Sequence, residues 1–110
     1  MELTVLQLLD LESGLFAIGD KELPIATSLK INRAITSLEP VTHTIRETAQ
    51  PLLKLEQPQQ QEKLNELYQE EMDVELPMIQ LDELEAITIQ ANVLRHLSPI
   101  LSEGEDSDEN

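Results

Sequence analysis

His43 and Glu47 come closest to a chemical pair in this chain: four residues apart on a helix, they share a face and can reach one ligand. The other histidine, His96, is distant in sequence and no third ligand converges, so the spacing predicts two solvated side chains rather than a metal centre. Ser13 precedes Gly14, but no strand-turn-helix context of a nucleophile elbow surrounds it, nor a base with an orienting acid. Glu70 with Glu71, or Asp82 with Glu83, could divide acid and base roles, yet such work needs one carboxyl held in an apolar pocket. With 22 acidic residues in the chain, adjacency alone singles out none of them. Gly14, Gly19 and Gly104 form no phosphate-cradling motif, and the lack of cysteine removes disulfides, zinc knuckles and thiol catalysis. The expectation is a protein that is not an enzyme and holds no cofactor or metal.

Charge is the stronger signal. Seven basic residues against 22 acidic ones leave a formal charge of -15, which disfavours direct nucleic-acid binding because phosphate contacts need a basic surface. From Gln59 to Glu85 nine carboxylates face only Lys63. Within that run Glu62, Glu66, Glu70, Glu71, Asp73 and Glu75 form a candidate acidic interaction surface. Displayed along one face, such carboxylates imitate the phosphate spacing of nucleic acid and suit a basic groove on another protein. A solvated face around an apolar core is the commoner role of such a run. The expected partner is another protein.

These residues have to be positioned by helices. Apolar residues make up 40% of the chain, but Phe16 and Tyr68 are its only aromatics, a composition that suits packed helices better than a β-sandwich. An opening segment, Leu3 to Ile18, places Val5, Leu8, Leu9, Leu15 and Phe16 at helical spacing, with Gly14 unsettling its middle and Gly19 as a stop. Leu23-Pro24 starts a long helix, about 24–55, since proline in the first turn gives up no intrahelical bond. Its seam, Ile31, Ile35, Leu38, Thr42, Ile45, Ala49 and Leu52, alternates steps of four and three. Pro40 and Pro51 each remove a backbone bond, so the helix either kinks or divides, and the unbroken phase favours one kinked helix. That seam, with Ile31, Ile35, Leu38, Ile45 and Leu52 as its apolar members, packs inside the chain or against a second copy, so a homo-oligomer is possible.

Pro58 favours a break before a third helix running to about Met72. Val74, Leu76 and Met78 then alternate with polar residues and Pro77, a short extended segment near 74–81 at most an edge strand. Asp82 is expected to cap a final helix with Leu84, Ile87, Ala91 and Leu94 on one face. The whole reads as mostly α: a long kinked central helix packed with an N-terminal helix and two further helices. One helical domain spans 1–101, and an acidic tail, 102–110, lacks apolar anchors and is expected to be disordered. No basic secretory segment and no apolar run of about 20 residues is present, so a soluble cytoplasmic protein without a membrane segment is expected.

The order of these segments resembles a group of small tailed-phage and prophage proteins. A Leu-rich opening helix, then KELPIATSLKINRAITSLEP entering a long helix, then LNELYQEEMDVELPMIQLDELEAI, together cover about residues 3–97. The resemblance implies a phage or prophage origin, the host cytoplasm as setting, and no inherited catalytic residue. The function it favours is protein-protein interaction, as an assembly factor or a modulator of a host factor. The acidic run offers an alternative, an inhibitor of a host defence or nucleic-acid enzyme that mimics nucleic acid.

Overall fold

The computed structural model describes residues 1–102. In chain order they form β1 (Glu2–Thr4), α1 (Val5–Gly19), α2 (Ile25–Leu52), α3 (Gln59–Gln69), β2 (Glu71–Asp73), β3 (Ile79–Gln80), α4 (Ala91–Leu97) and β4 (Leu101–Ser102). Single 3-10 turns at Leu81–Leu84 and Ser98–Ile100 lead toward and away from α4. The expected acidic tail lies outside the described residues apart from Ser102.

Thr4 starts α1 by a capping box: its hydroxyl accepts from the Gln7 N–H at 3.1 Å while the Gln7 side chain accepts from the Thr4 N–H at 2.9 Å. Leu8, Leu11, Leu15 and Ile18 then face the core. The helix runs through Gly14, which is explained by packing. A Cβ there would lie 3.0 Å from Leu97 Cγ and 3.1 Å from His96 Cβ, so glycine is what lets α4 lie directly on α1.

The connection 20–24 turns the chain back, and α2 packs along α1 as one continuous helix through both Pro40 and Pro51. At about 1.5 Å per residue its 28 residues span roughly 42 Å. Pro40 takes an amide hydrogen from the ladder on an exposed side of the helix, where water can satisfy the orphaned carbonyl. The seam holds with one change. Ile31, Leu38, Thr42 and Ile45 are buried, whereas Ile35 and Leu52 are only half-buried and Ala34 takes the deep position beside Ile35.

Several boundaries differ from the sequence expectation. Residues 2–4 are a strand, not the first turn of a helix, and they pair antiparallel with β2 in the register Glu2↔Asp73, Leu3↔Met72, Thr4↔Glu71. That pairing also ends α3 at Gln69 rather than Met72, because Glu70 must turn extended for its carbonyl to accept from the Val5 N–H at 2.8 Å. Beyond β2 the period-two segment does not form a strand over 74–81. Pro77 has no N–H to offer a ladder, and only Ile79–Gln80 pair, in parallel with Leu101–Ser102.

The final helix begins at Ala91, not at Asp82. Gln80 caps a single 3-10 turn instead, the Glu83 side chain reaches from that turn to α2, and β-branched Thr88 and Ile89 break the run before α4. Phe16, expected on the buried face of α1, is 54% exposed, while Leu11 and Ile18 are fully buried. The core gathers these side chains with Val74, Ile79, Leu84, Leu97 and Ile100, and Leu67 and Tyr68 of α3 pack against it from one side.

Candidate interaction surface

Six acidic residues singled out by sequence, Glu62, Glu66, Glu70, Glu71, Asp73 and Glu75, are all exposed, and the fold distributes them over α3, β2 and the connections at 70 and 75. Glu62 and Glu66 stand one turn apart on α3, where Lys63 lies 3.8 Å from the Glu66 carboxylate. Glu71 and Asp73 share one face of the β1–β2 ribbon, since successive strand residues alternate faces. Glu2 lies directly opposite Asp73 on that face, a like-charge pair that the amino terminus of Met1 relieves at 3.2 Å from Asp73 Oδ1. Glu75 lines a groove of about 550 Å³ with Met1, Arg33, Ser37 and Leu76.

Two more acidic residues turn inward. Glu83 accepts from Lys30 Nζ at 2.7 Å, from Thr27 Oγ1 at 3.0 Å and from the Gln80 N–H at 3.1 Å, so it ties the 3-10 turn to α2. The Lys30 hydrogen bond is the largest influence on its carboxyl and holds it below the usual glutamate value, against the opposing effect of burial. A lowered folded value means that Glu83 contributes stability above its unfolded value, about pH 4.3, and loses it as pH falls through the folded value. We therefore expect Glu83→Gln to cost about 1 kcal/mol near neutral pH, the scale of one such hydrogen bond, with the difference vanishing in acid. Urea denaturation of both proteins over that range reads it directly.

Glu12 is the other. It sits on the core face of α1, 4% exposed, and its carboxylate accepts from Thr42 Oγ1 at 2.7 Å and from the Arg46 guanidinium. Thr42 also donates toward the Leu38 carbonyl, so the seam hydroxyl is held between its own helix and α1. Sequence reasoning passed over Glu12, whose burial is evident only once Thr42 and Arg46 are placed beside it.

The candidate chemical residues stay apart. His43 Nε2 lies 3.1 Å from Glu47 Oε2, both side chains more than two-thirds exposed. Among the described residues no three His, Cys, Asp or Glu side chains form a group able to hold a metal ion. Ser13 is exposed on α1, and His96 is half-buried against Gly14.

Sequence reasoning also missed the outer side of α1. At 3.6 residues per turn Leu6, Leu9, Ser13, Phe16 and Ala17 fall on one side of the helix, opposite Leu8, Leu11 and Leu15. Leu6 is 47% exposed and Phe16 54%. A helix apolar on nearly all sides is ordinarily buried on all sides, so this one presents a face without a cover.

Comparison with protein-family models, with curated proteins and with solved structures finds no match to this chain. Among the described residues no helix is long and apolar enough to cross a membrane.

Proposed function

We propose that this protein works without chemistry of its own, as a phage or prophage protein in the host cytoplasm that binds another protein, either an assembly component or a host factor. The observation that carries this reading is the exposed apolar side of α1, centred on Leu6 and Phe16, on a strongly acidic chain. An uncovered apolar stripe on a charged surface is the usual mark of an interaction site. The setting rests on the resemblance of the segment order to small phage proteins.

The exposure of all six singled-out carboxylates favours a second reading, a nucleic-acid mimic that occupies a basic groove. One capture experiment separates the two. Immobilised wild-type chain, exposed to lysate of infected cells, is expected to hold one partner stoichiometrically, and Leu6→Ser with Phe16→Ser is expected to lose it at least about a hundredfold, the effect of truncating interface anchors. Reversal of Glu66, Glu70 and Glu71 to lysine is expected to weaken capture less. If reversal abolishes capture and the serine variant does not, the mimic reading replaces the first. A wild-type chain that stays alone at physiological concentration defeats both.

A further inference from the structure

The outer side of α1 combines two properties that together specify its cover. The side from Leu6 to Ala17 is about three turns long, with Leu6, Phe16 and Ala17 exposed, Leu9 half-buried and Ser13 a polar break between them. Its charged surroundings are predominantly acidic. α1 contains no lysine or arginine, and Asp10 borders the stripe. At the N-terminal end of α1 lies the ribbon with Glu2, Glu71 and Asp73, which is fastened to α1 through the Val5–Glu70 hydrogen bond. Asp20, Lys21 and Glu22 follow its C-terminal end, and the Met1 amino terminus pairs with Asp73 of the ribbon.

We infer that this face docks an amphipathic helix whose apolar stripe is bordered by lysine or arginine. The inference rests on the interaction reading above and names the chemistry of the partner. A face of this length matches a helix with apolar residues at i, i+3 or i+4, and i+7, which lays its stripe along Leu6 and Phe16. Basic residues bordering that stripe meet Asp10 and the carboxylates of the ribbon, raising the association rate and fixing the direction of docking.

A second copy of this chain fits worse. A two-fold interface sets the same patch against itself, so Asp10 and the ribbon carboxylates of each copy would meet their own kind with no cation from α1 between them. The formal charge of -15 on each chain adds repulsion at longer range.

The test titrates the full chain, by calorimetry, with a synthetic peptide roughly five turns long that carries leucine at i, i+3, i+4 and i+7 with lysines beside them. Two controls are the same residues in scrambled order and the same pattern with glutamate in place of lysine. The patterned lysine peptide is expected to bind at least about tenfold more tightly than either control. Leu6→Ser with Phe16→Ser should remove at least about tenfold of that affinity with the helical circular dichroism of the chain unchanged. Glu71→Gln with Asp73→Asn should weaken binding and flatten its dependence on salt, as expected for charges at a wet rim.

The inference is overturned if the scrambled peptide binds as tightly as the patterned one, since binding is then charge alone. It also fails if neither peptide binds, or if sedimentation shows a wild-type dimer that the serine variant dissociates, in which case a second copy is the cover. A captured partner lost in the serine variant, alongside a lysine peptide that fails to bind, leaves the interaction reading standing and removes only the cationic helix.

Discussion

Arg46→Met is expected to destabilise the fold by about 3 kcal/mol, and adding Glu12→Leu to it is expected to recover most of that loss. The reason lies in where the two ends of the ion pair sit. The Glu12 side chain is 5% exposed and the Arg46 side chain 59%, so the guanidinium is largely in water while the carboxylate is not. Screening keeps the attraction itself modest. The larger part of the cost comes from stranding a carboxylate among Leu8, Leu11 and Leu15 with Thr42 as its one remaining hydrogen-bond donor.

Replacing both partners by apolar side chains of similar size removes the stranded charge, and such replacements are often close to neutral. Thr42→Val on the wild-type background should cost about 1 to 2 kcal/mol, because Glu12 then keeps Arg46 but loses its buried donor. A double-mutant cycle by urea denaturation, with equal slopes across the four proteins, checks the set. A double variant as unstable as Arg46→Met would mean that the pair holds α1 on α2 by geometry that leucine and methionine cannot replace.

The same contact shows how much of the molecule could be read from its residues. The central helix was legible because its apolar residues keep one phase from Ile31 to Leu52 through two prolines, and phase survives the loss of a single backbone hydrogen bond. Glu12 was not, since nothing local to α1 tells a buried carboxylate from an exposed one until Thr42 and Arg46, some thirty residues away, are placed beside it. The ribbon was illegible for a similar reason. Glu2–Thr4 has no strand pattern of its own and becomes a strand by pairing with residues near position 72.

The start of the last helix failed differently. Asp82 and Glu83 carry a good local signal for a helix beginning, but Glu83 is engaged by Lys30 and Thr27, and a tertiary contact outweighs an intrinsic preference worth a fraction of a kcal/mol per residue. As for the candidate surface, the identity of the acidic residues and their exposure followed from the sequence. Their division among α3, the ribbon and the groove beside Arg33 did not, and the apolar side of α1 was concealed because a helix rich in leucine on every side offers no moment to read.

At Gly14, helix propensity and packing against α4 pull in opposite directions. Gly14→Val is expected to cost about 3 kcal/mol and to loosen α4 before the rest of the molecule. On propensity alone the change should help, since glycine is the worst ordinary residue inside a helix and valine is better by a few tenths of a kcal/mol. Packing reverses the sign. A first side-chain carbon already meets Leu97 at 3.0 Å and His96 at 3.1 Å, tighter than van der Waals contact, and two further methyl groups have no space between α1 and a Leu97 that is fully buried. The strain falls on α4 because it is the shorter element, seven residues against fifteen, and is held mainly by Leu97 and the following Ile100. Amide exchange should therefore accelerate first over residues 91–100 while the α1–α2 pair stays protected. Leu97→Ala in the valine background makes room for the new methyl groups, so the two changes together should cost less than the sum of each alone. A strictly additive pair, or uniform acceleration of exchange across α1 and α2, would place the cost of the valine in the helix backbone and not in the contact with α4.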